Sequence, residues 1–170
     1  MNQTFGNTGL KTSPIVYGCM GGAGAFGAQE ETDSIEALRA AFDVGINFFD
    51  TAEAYGAGYS EQLLNRALGA QRSEIVISSK VAEQNAAPDD VITACERSLK
   101  NLGTDHIDIY MLHWPNRDVP LAETLGALKS LKDAGKIGHY GVSNFGSADL
   151  DEALALGEIS GNQLPYPLFY

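Results

Sequence analysis

Asp50, Tyr55, Lys80 and His113 sit at or just past the ends of short apolar runs at 47–50, 75–80 and 107–113. If those runs are strands, the four side chains converge on one face. A tyrosine can donate a proton, a lysine can stabilise the phenolate left behind, an aspartate can hold the lysine, and a histidine can point at a carbonyl oxygen. A free tyrosine, with a pKa of about 10, is a poor acid at neutral pH, so a lysinium in contact is what this chemistry needs. The set reads as a proton-delivery unit for reducing a carbonyl. The competing reading, in which Asp50 and Lys80 are only a buried structural pair, gives Tyr55 and His113 no reason to be there.

The elements that must place these residues alternate along the chain. Strands are predicted near Ile15–Gly18, Ile46–Asp50, Ile75–Lys80, Ile107–His113, Gly138–Ser143 and Gly161–Leu164, each starting one βα unit after the last. The helices between them carry apolar stripes: Ile35, Leu38, Phe42 and Gly45; Val91, Ile92, Cys95, Leu99 and Leu102; Leu121, Leu125 and Leu128. Asp33 with Glu36 suits a capping box, Pro88-Asp89-Asp90 opens a helix, and Gly45, Gly103 and Gly135 close helices. Ahead of the repeat, Gln3–Phe5 and Leu10–Ser13 flank Gly6-Asn7-Thr8-Gly9, a hairpin signal.

Parallel strands followed by helices suit an open doubly wound sheet or an α/β (β/α)8 TIM barrel. In a barrel, catalytic residues come from the C-terminal ends of several different strands. Asp50, Lys80, His113 and Ser143-Asn144 end strands two to five, which favours a barrel, here incomplete with about six βα units. Gly22-Ala23-Gly24-Ala25-Phe26-Gly27 spells a dinucleotide-binding fingerprint, with Asp50 where its ribose acid belongs. That fingerprint needs its first glycine directly after the strand and its last inside the helix. Cys19-Met20-Gly21 intrude before it and Gln29-Glu30-Glu31 after it, so these glycines are expected to form a βα loop at the pocket rim.

Nineteen glycines and six prolines are spread without a low-complexity tract, and 44% hydrophobic content is ordinary for a globular domain. One domain over residues 1–170 is expected. A net charge of −11, from 22 acidic against 11 basic residues, with no basic cluster, argues against nucleic acid as a partner. No basic and apolar leader opens the chain and no apolar run approaches the ~20 residues of a membrane span, so a cytoplasmic location without membrane contact is expected. Cys19 and Cys95 show neither disulfide nor zinc spacing. Cys95 is expected to be a buried thiol and Cys19 to stand near the functional face. His106 and His139 are expected at structural positions away from that face. With no metal-ligand spacing, flavin fingerprint or reactive cysteine pair in the sequence, the hydride is expected from a nicotinamide.

The wording around these residues is specific: Asp50-Thr51-Ala52-Glu53-Ala54-Tyr55-Gly56, Gly58-Tyr59-Ser60-Glu61, Leu112-His113-Trp114-Pro115, Gly141-Val142-Ser143-Asn144-Phe145 and Asn162-Gln163, in that order. It resembles the aldo-keto reductase family from about Phe5 to Tyr170. The resemblance implies an NADPH (NADP) dependent reductase of aldehydes or ketones. In it Tyr55 is the general acid, Lys80 lowers its pKa, Asp50 pairs with Lys80, and His113 orients the carbonyl of a small substrate. It implies further that Trp114 lines the substrate pocket, and that Ser143, Asn144 and Gln163 hold the nicotinamide carboxamide. Gly18, Cys19 and Met20 would border the ring, and the hairpin would plug the bottom of the barrel.

The sequence departs from the family in length, ending at Tyr170 in or just after strand six, where a full barrel needs eight strands. The family's strands seven and eight, with the aromatic that stacks on the nicotinamide and the loop that grips the 2′-phosphate, transfer to no residue here. A truncated reading frame, an inactive remnant and a partial barrel completed by another chain all stay open. Ending within the run Gln163–Tyr170 favours a fragment, whose open sheet edges would promote self-association. The alternative function is a non-catalytic fragment or a binding or scaffold protein on the same fold, as the potassium-channel β subunits of the family illustrate.

Overall fold

The computed structural model describes residues 2–25, 27 and 29–166. Phe26 of the glycine-rich motif, the 167–170 end of the last run and Met1 lie outside them. The elements run β1 (Gln3–Thr4), β2 (Lys11–Thr12), β3 (Tyr17–Gly18), α1 (Glu31–Asp43), β4 (Phe48–Asp50) and α2 (Tyr59–Leu68). They continue as β5 (Val76–Val81), α3 (Pro88–Leu102), β6 (Ile107–Leu112), α4 (Leu121–Asp133), β7 (Ile137–Ser143), α5 (Ser147–Leu156) and β8 (Asn162–Gln163).

Strands β3 to β8 form one parallel sheet in strict chain order. A doubly wound sheet would reverse its strand order at the ligand crevice. This sheet never reverses, so the dinucleotide-fingerprint reading of the glycines falls and the incomplete (β/α)8 barrel stands. The motif is loop instead: a single 3₁₀ turn covers Gly21–Ala23, Gly24 is left-handed at φ 86°, and α1 starts only at Glu31.

Apolar residues pack both sides of the sheet. One cluster joins Phe49, Ile77, Tyr110 and Leu112 to the inward stripes of the helices, among them Leu38, Leu64, Val91, Leu99 and Leu128. The other side is a small concave cluster of Phe48, Val76, Ile109 and Met111, covered by Phe5 and Leu10 of the β1–β2 hairpin. Phe5 meets Phe48 edge to face at 5.4 Å. The hairpin therefore fills the barrel interior from below. Gly141 lets β7 and β8 close up, since a Cβ there would come within 2.7 Å of the Gly161 carbonyl oxygen.

Several local expectations shift. Strand β3 is two residues long, and Ile15 and Val16, expected within it, are exposed. Helix α1 begins before Asp33, so Asp33 stands in the first turn and caps nothing. Its charge and that of Glu31 complement the helix dipole instead. Ile92 points out of the α3 stripe, where Val91, Ala94 and Cys95 are buried. Pro88 opens α3 and Gly103 closes it in the left-handed conformation at φ 63°, as expected. Among the described residues no helix is long and apolar enough to cross a membrane.

Candidate active site

Strand parity aims the key side chains. Side chains alternate between the faces of a strand. Phe48 and Asp50 in β4, Val76, Ser78 and Lys80 in β5, and Ile109, Met111 and then His113 past the end of β6 share the concave side, with the apolar members below and the polar ones at the tips. The parallel ladder runs on past the strand ends: Thr51 N–H donates to Ser78 O at 2.8 Å, His113 N–H to Val81 O at 2.9 Å and Asn144 N–H to Gln163 O at 2.9 Å. The tips are thus as rigidly held as the strands.

The lysine is fully engaged. Lys80 is 1% exposed, and its Nζ donates to Asp50 Oδ1 at 2.8 Å, Asp50 Oδ2 at 2.7 Å and the Thr51 carbonyl at 2.9 Å. An ammonium has three protons, and three oxygens take them. Gln163 Nε2 adds a further donor to Asp50 Oδ2 at 3.2 Å. A cleft of about 210 Å3 on the concave side runs from Phe5 and Phe48 up to Asp50 and Gln163.

Tyr55 and His113 face the charged pair. The Tyr55 and His113 rings meet edge to face at 5.6 Å, and Lys80 Nζ lies 5.2 Å from the centre of the Tyr55 ring, within cation–π range. The expectation that Lys80 lowers the Tyr55 pKa is not what this arrangement does. Burial, then the Asp50 charge, then Cys19 push the Tyr55 hydroxyl up to about 12. Asp50 sits on the lysinium and cancels the field that the phenolate would feel. Burial first, and then the Lys80 charge, hold His113 below its ordinary value. A neutral imidazole at pH 7 can still donate a hydrogen bond to a carbonyl oxygen.

The amide-bearing residues gather beside this group. Asn144, left-handed at φ 61°, donates from Nδ2 to the His113 carbonyl at 3.0 Å and to Ser143 Oγ at 3.1 Å. Ser143 Oγ donates to Gln163 O at 3.1 Å. Trp114 is half exposed, its ring stacked 6.4 Å from His113. Gly18 pairs in register with Asp50, and Met20 directly precedes the Gly21–Ala23 turn. Cys19 differs from expectation: its thiol is buried in the helix-side core, and its pKa is raised, by burial first. Any ligand contact there is left to its backbone, whose N–H already donates to Asp50 O at 2.8 Å.

The other titratable residues sort as their positions in the strands require. His106 precedes β6 and its Nδ1 lies 3.1 Å from Gly135 O; His139 is inside β7 and lines a cavity beside the hairpin. Both are far along their strands from the tips. Cys95 is buried in α3, its thiol pushed up to about 12 by burial. Sequence reasoning passed over Glu53 and Glu61, which are buried carboxylates flanking Tyr55. For Glu53 the available signal was an acid in the loop between Asp50 and Tyr55, and for Glu61 an acid in the first turn of α2.

The model of the Aldo/keto reductase family matches residues 14–169. Aldo-keto reductase YhdN of Bacillus subtilis is 38% identical over 177 residues, covering 98% of this chain and 54% of that protein. Methylglyoxal reductase YeaE of Escherichia coli is 38% identical over 144 residues, 83% of this chain and 50% of the other. Among solved structures, the thermostable aldo-keto reductase Tm1743 in complex with the inhibitor epalrestat is similar at a TM-score of 0.90 and 34% identity, over 98% of this chain and 62% of that one. An aldo/keto reductase from Klebsiella pneumoniae in complex with NADP and acetate is similar at 0.83 and 34% identity, over 92% and 54%. The chain spans about half the length of the curated relatives it matches. The matched residues 14–169, the strand order, the hairpin and the Asp50–Tyr55–Lys80–His113 cluster agree, and the chain belongs to the aldo/keto reductase family.

Proposed function

We propose that these residues form the proton-delivery half of an NADPH-dependent reductase of aldehydes or ketones. The observation that carries this is the meeting of Tyr55, His113 and the triply bonded Lys80 at the tips of three strands. Neutral His113 donates a hydrogen bond to the substrate oxygen and aims it at Tyr55. Tyr55 then gives its proton to that oxygen as negative charge develops there. Lys80, anchored by Asp50 and Thr51, stands with its Nζ 5.2 Å from the centre of the Tyr55 ring and helps fix where that ring lies. Trp114 at the rim gives the substrate an apolar wall.

The donor set suits a nicotinamide. Among the described residues Asn144 Oδ1 and Gln163 Oε1 have no hydrogen-bond partner, and a carboxamide NH2 needs acceptors of this kind. Ser143, Asn144 and Gln163 would hold that carboxamide, with Gly18, Met20 and the Cys19 backbone along the ring. When bound, NADPH supplies the hydride to the carbonyl carbon.

Loss of NADPH absorbance in the presence of a reactive aldehyde tests the reading, in the 170-residue chain and in the protein extended to the length of its relatives. Turnover in the extended protein supports it. Absence of turnover there supports a binding or scaffold role. The 170-residue chain itself is expected to bind NADPH weakly, with little preference over NADH, because a net charge of −11 opposes an anionic ligand. Quenching of Trp114, the only tryptophan, reads this directly. A tight, NADP-selective titration would mean that the phosphate contacts lie within these residues.

A further inference from the structure

Tyr55 is carried on the loop from Thr51 to Gly58, which is neither helix nor strand beyond turns. Past Tyr55 the loop takes three consecutive left-handed residues, Gly56, Ala57 and Gly58, at φ 61°, 52° and 88°. An alanine there is in a sparsely populated conformation that persists only where the surroundings impose it. Something must therefore hold this loop against β5.

Glu53 is built to do so. Its side chain is 6% exposed. Oε1 accepts from the Ala82 backbone N–H at 2.8 Å and from Asn85 Nδ2 at 2.8 Å, and Oε2 accepts from Arg97 of α3. Its own N–H donates to the Lys80 carbonyl at 3.2 Å. Ala82 is two residues past Lys80, as Tyr55 is two residues past Glu53. One carboxylate thus joins the segment bearing the tyrosine to the segment bearing the lysine. On the far side of the loop Glu61, fully buried, accepts from Ser79 Oγ at 2.6 Å and from Asn101 Nδ2 at 3.0 Å. The loop is braced to β5 before and after Lys80.

We infer that Glu53 is a positioning residue, its Oε1 bracing the Tyr55 loop to the chain after Lys80 and so setting the tyrosine against the lysine and His113. The inference rests on reading Tyr55 as the acid, yet can be tested apart from it. Glu53 makes no hydrogen bond to Tyr55, Lys80 Nζ or His113. Its side-chain bonds go to Ala82, Asn85 and Arg97.

The readout is the ionisation of Tyr55, taken as phenolate absorbance against pH with the curve of the Tyr55→Phe protein subtracted in each background. Burial is the first cause pushing the Tyr55 hydroxyl up to about 12. Glu53→Ala releases the loop, so the Tyr55 pKa is expected to fall toward about 10, the value of an exposed tyrosine, with faster amide exchange across Ala54–Gly58. Glu53→Gln keeps an oxygen at Oε1 and Arg97→Ala leaves Glu53 in place, so both are expected to hold the wild-type titration. An unshifted Tyr55 in folded Glu53→Ala overturns the proposal, and so does a shift in Glu53→Gln as large as in Glu53→Ala. Should Glu53→Ala lose its folded near-UV circular dichroism, Glu53→Asp, which withdraws the carboxylate by one methylene, takes its place under the same criterion. Turnover of the extended protein separates the two readings. A Tyr55 shift in Glu53→Ala alongside full turnover in Tyr55→Phe keeps the brace and removes the acid role, and the reverse pattern keeps the acid role and removes the brace.

Discussion

Tyr55→Phe, in the protein extended to the length of its relatives, is expected to cut carbonyl reduction by about 10² or more, the worth of a positioned general acid. The substitution removes one oxygen and leaves the ring against His113 and over Lys80, so NADPH affinity and thermal stability should barely change. Single-turnover rates with NADPH and an aldehyde make the measurement. Retained rate would remove Tyr55 from the chemistry, and joint loss of rate and cofactor binding would mark it as structural.

The pH dependence of that rate carries its own sign. Tyr55, pushed up to about 12, keeps its proton through the neutral and mildly alkaline range, so the proton-donating form is not lost there. Reduction should hold its rate well past pH 8 on the alkaline side. His113 has its pKa lowered, so its neutral form persists somewhat below the ordinary value of about 6.5 before an acid limb sets in. A rate that falls between pH 7 and 8 would show that the bound state draws the tyrosine down much further than this arrangement does.

Lys80→Met is expected to lower stability and activity together. Lys80 is 1% exposed and Asp50 8%, so the substitution leaves a buried carboxylate whose remaining side-chain donor is Gln163. Removing one partner of such a pair costs about 3–5 kcal/mol. For a chain of this size that is roughly 10 °C in Tm, measurable by thermal circular dichroism. The Thr51 carbonyl would lose its donor as well, loosening the start of the loop that carries Tyr55. An unchanged Tm would mean that water reaches the pair and takes over the missing bonds. Asp50→Asn with Lys80→Met should recover part of the loss, because the double substitution leaves no unpaired charge.

How legible the protein was depends on whether a feature is local in the chain. The identity of Asp50, Tyr55, Lys80 and His113 as one group could be read from residues alone. Period-two alternation decides which side chains share a face, and the stops around each apolar run decide where a strand ends. The order of the sheet followed from even βα spacing. Strand and helix limits were less legible at β3 and α1, where Ile15, Val16 and Asp33 carry the right residue types but lack neighbours to pair with or cap.

The electrostatics were decided only by the tertiary structure. That Lys80 spends all three protons on Asp50 and Thr51, and that burial first and then the Asp50 charge leave the Tyr55 pKa raised rather than lowered, depends on distances between strands that no spacing encodes. The same holds for Cys19, adjacent to the rim in sequence yet turned by one strand position into the core, and for Glu53, an ordinary acid until Ala82, Asn85 and Arg97 enclose it. Residue types and periodicity are properties of short stretches of chain, so the sequence by itself determined which groups meet. Burial and the competition for each proton arise between segments about 30 residues apart, one βα unit, so only the folded chain could decide what each group does to the next.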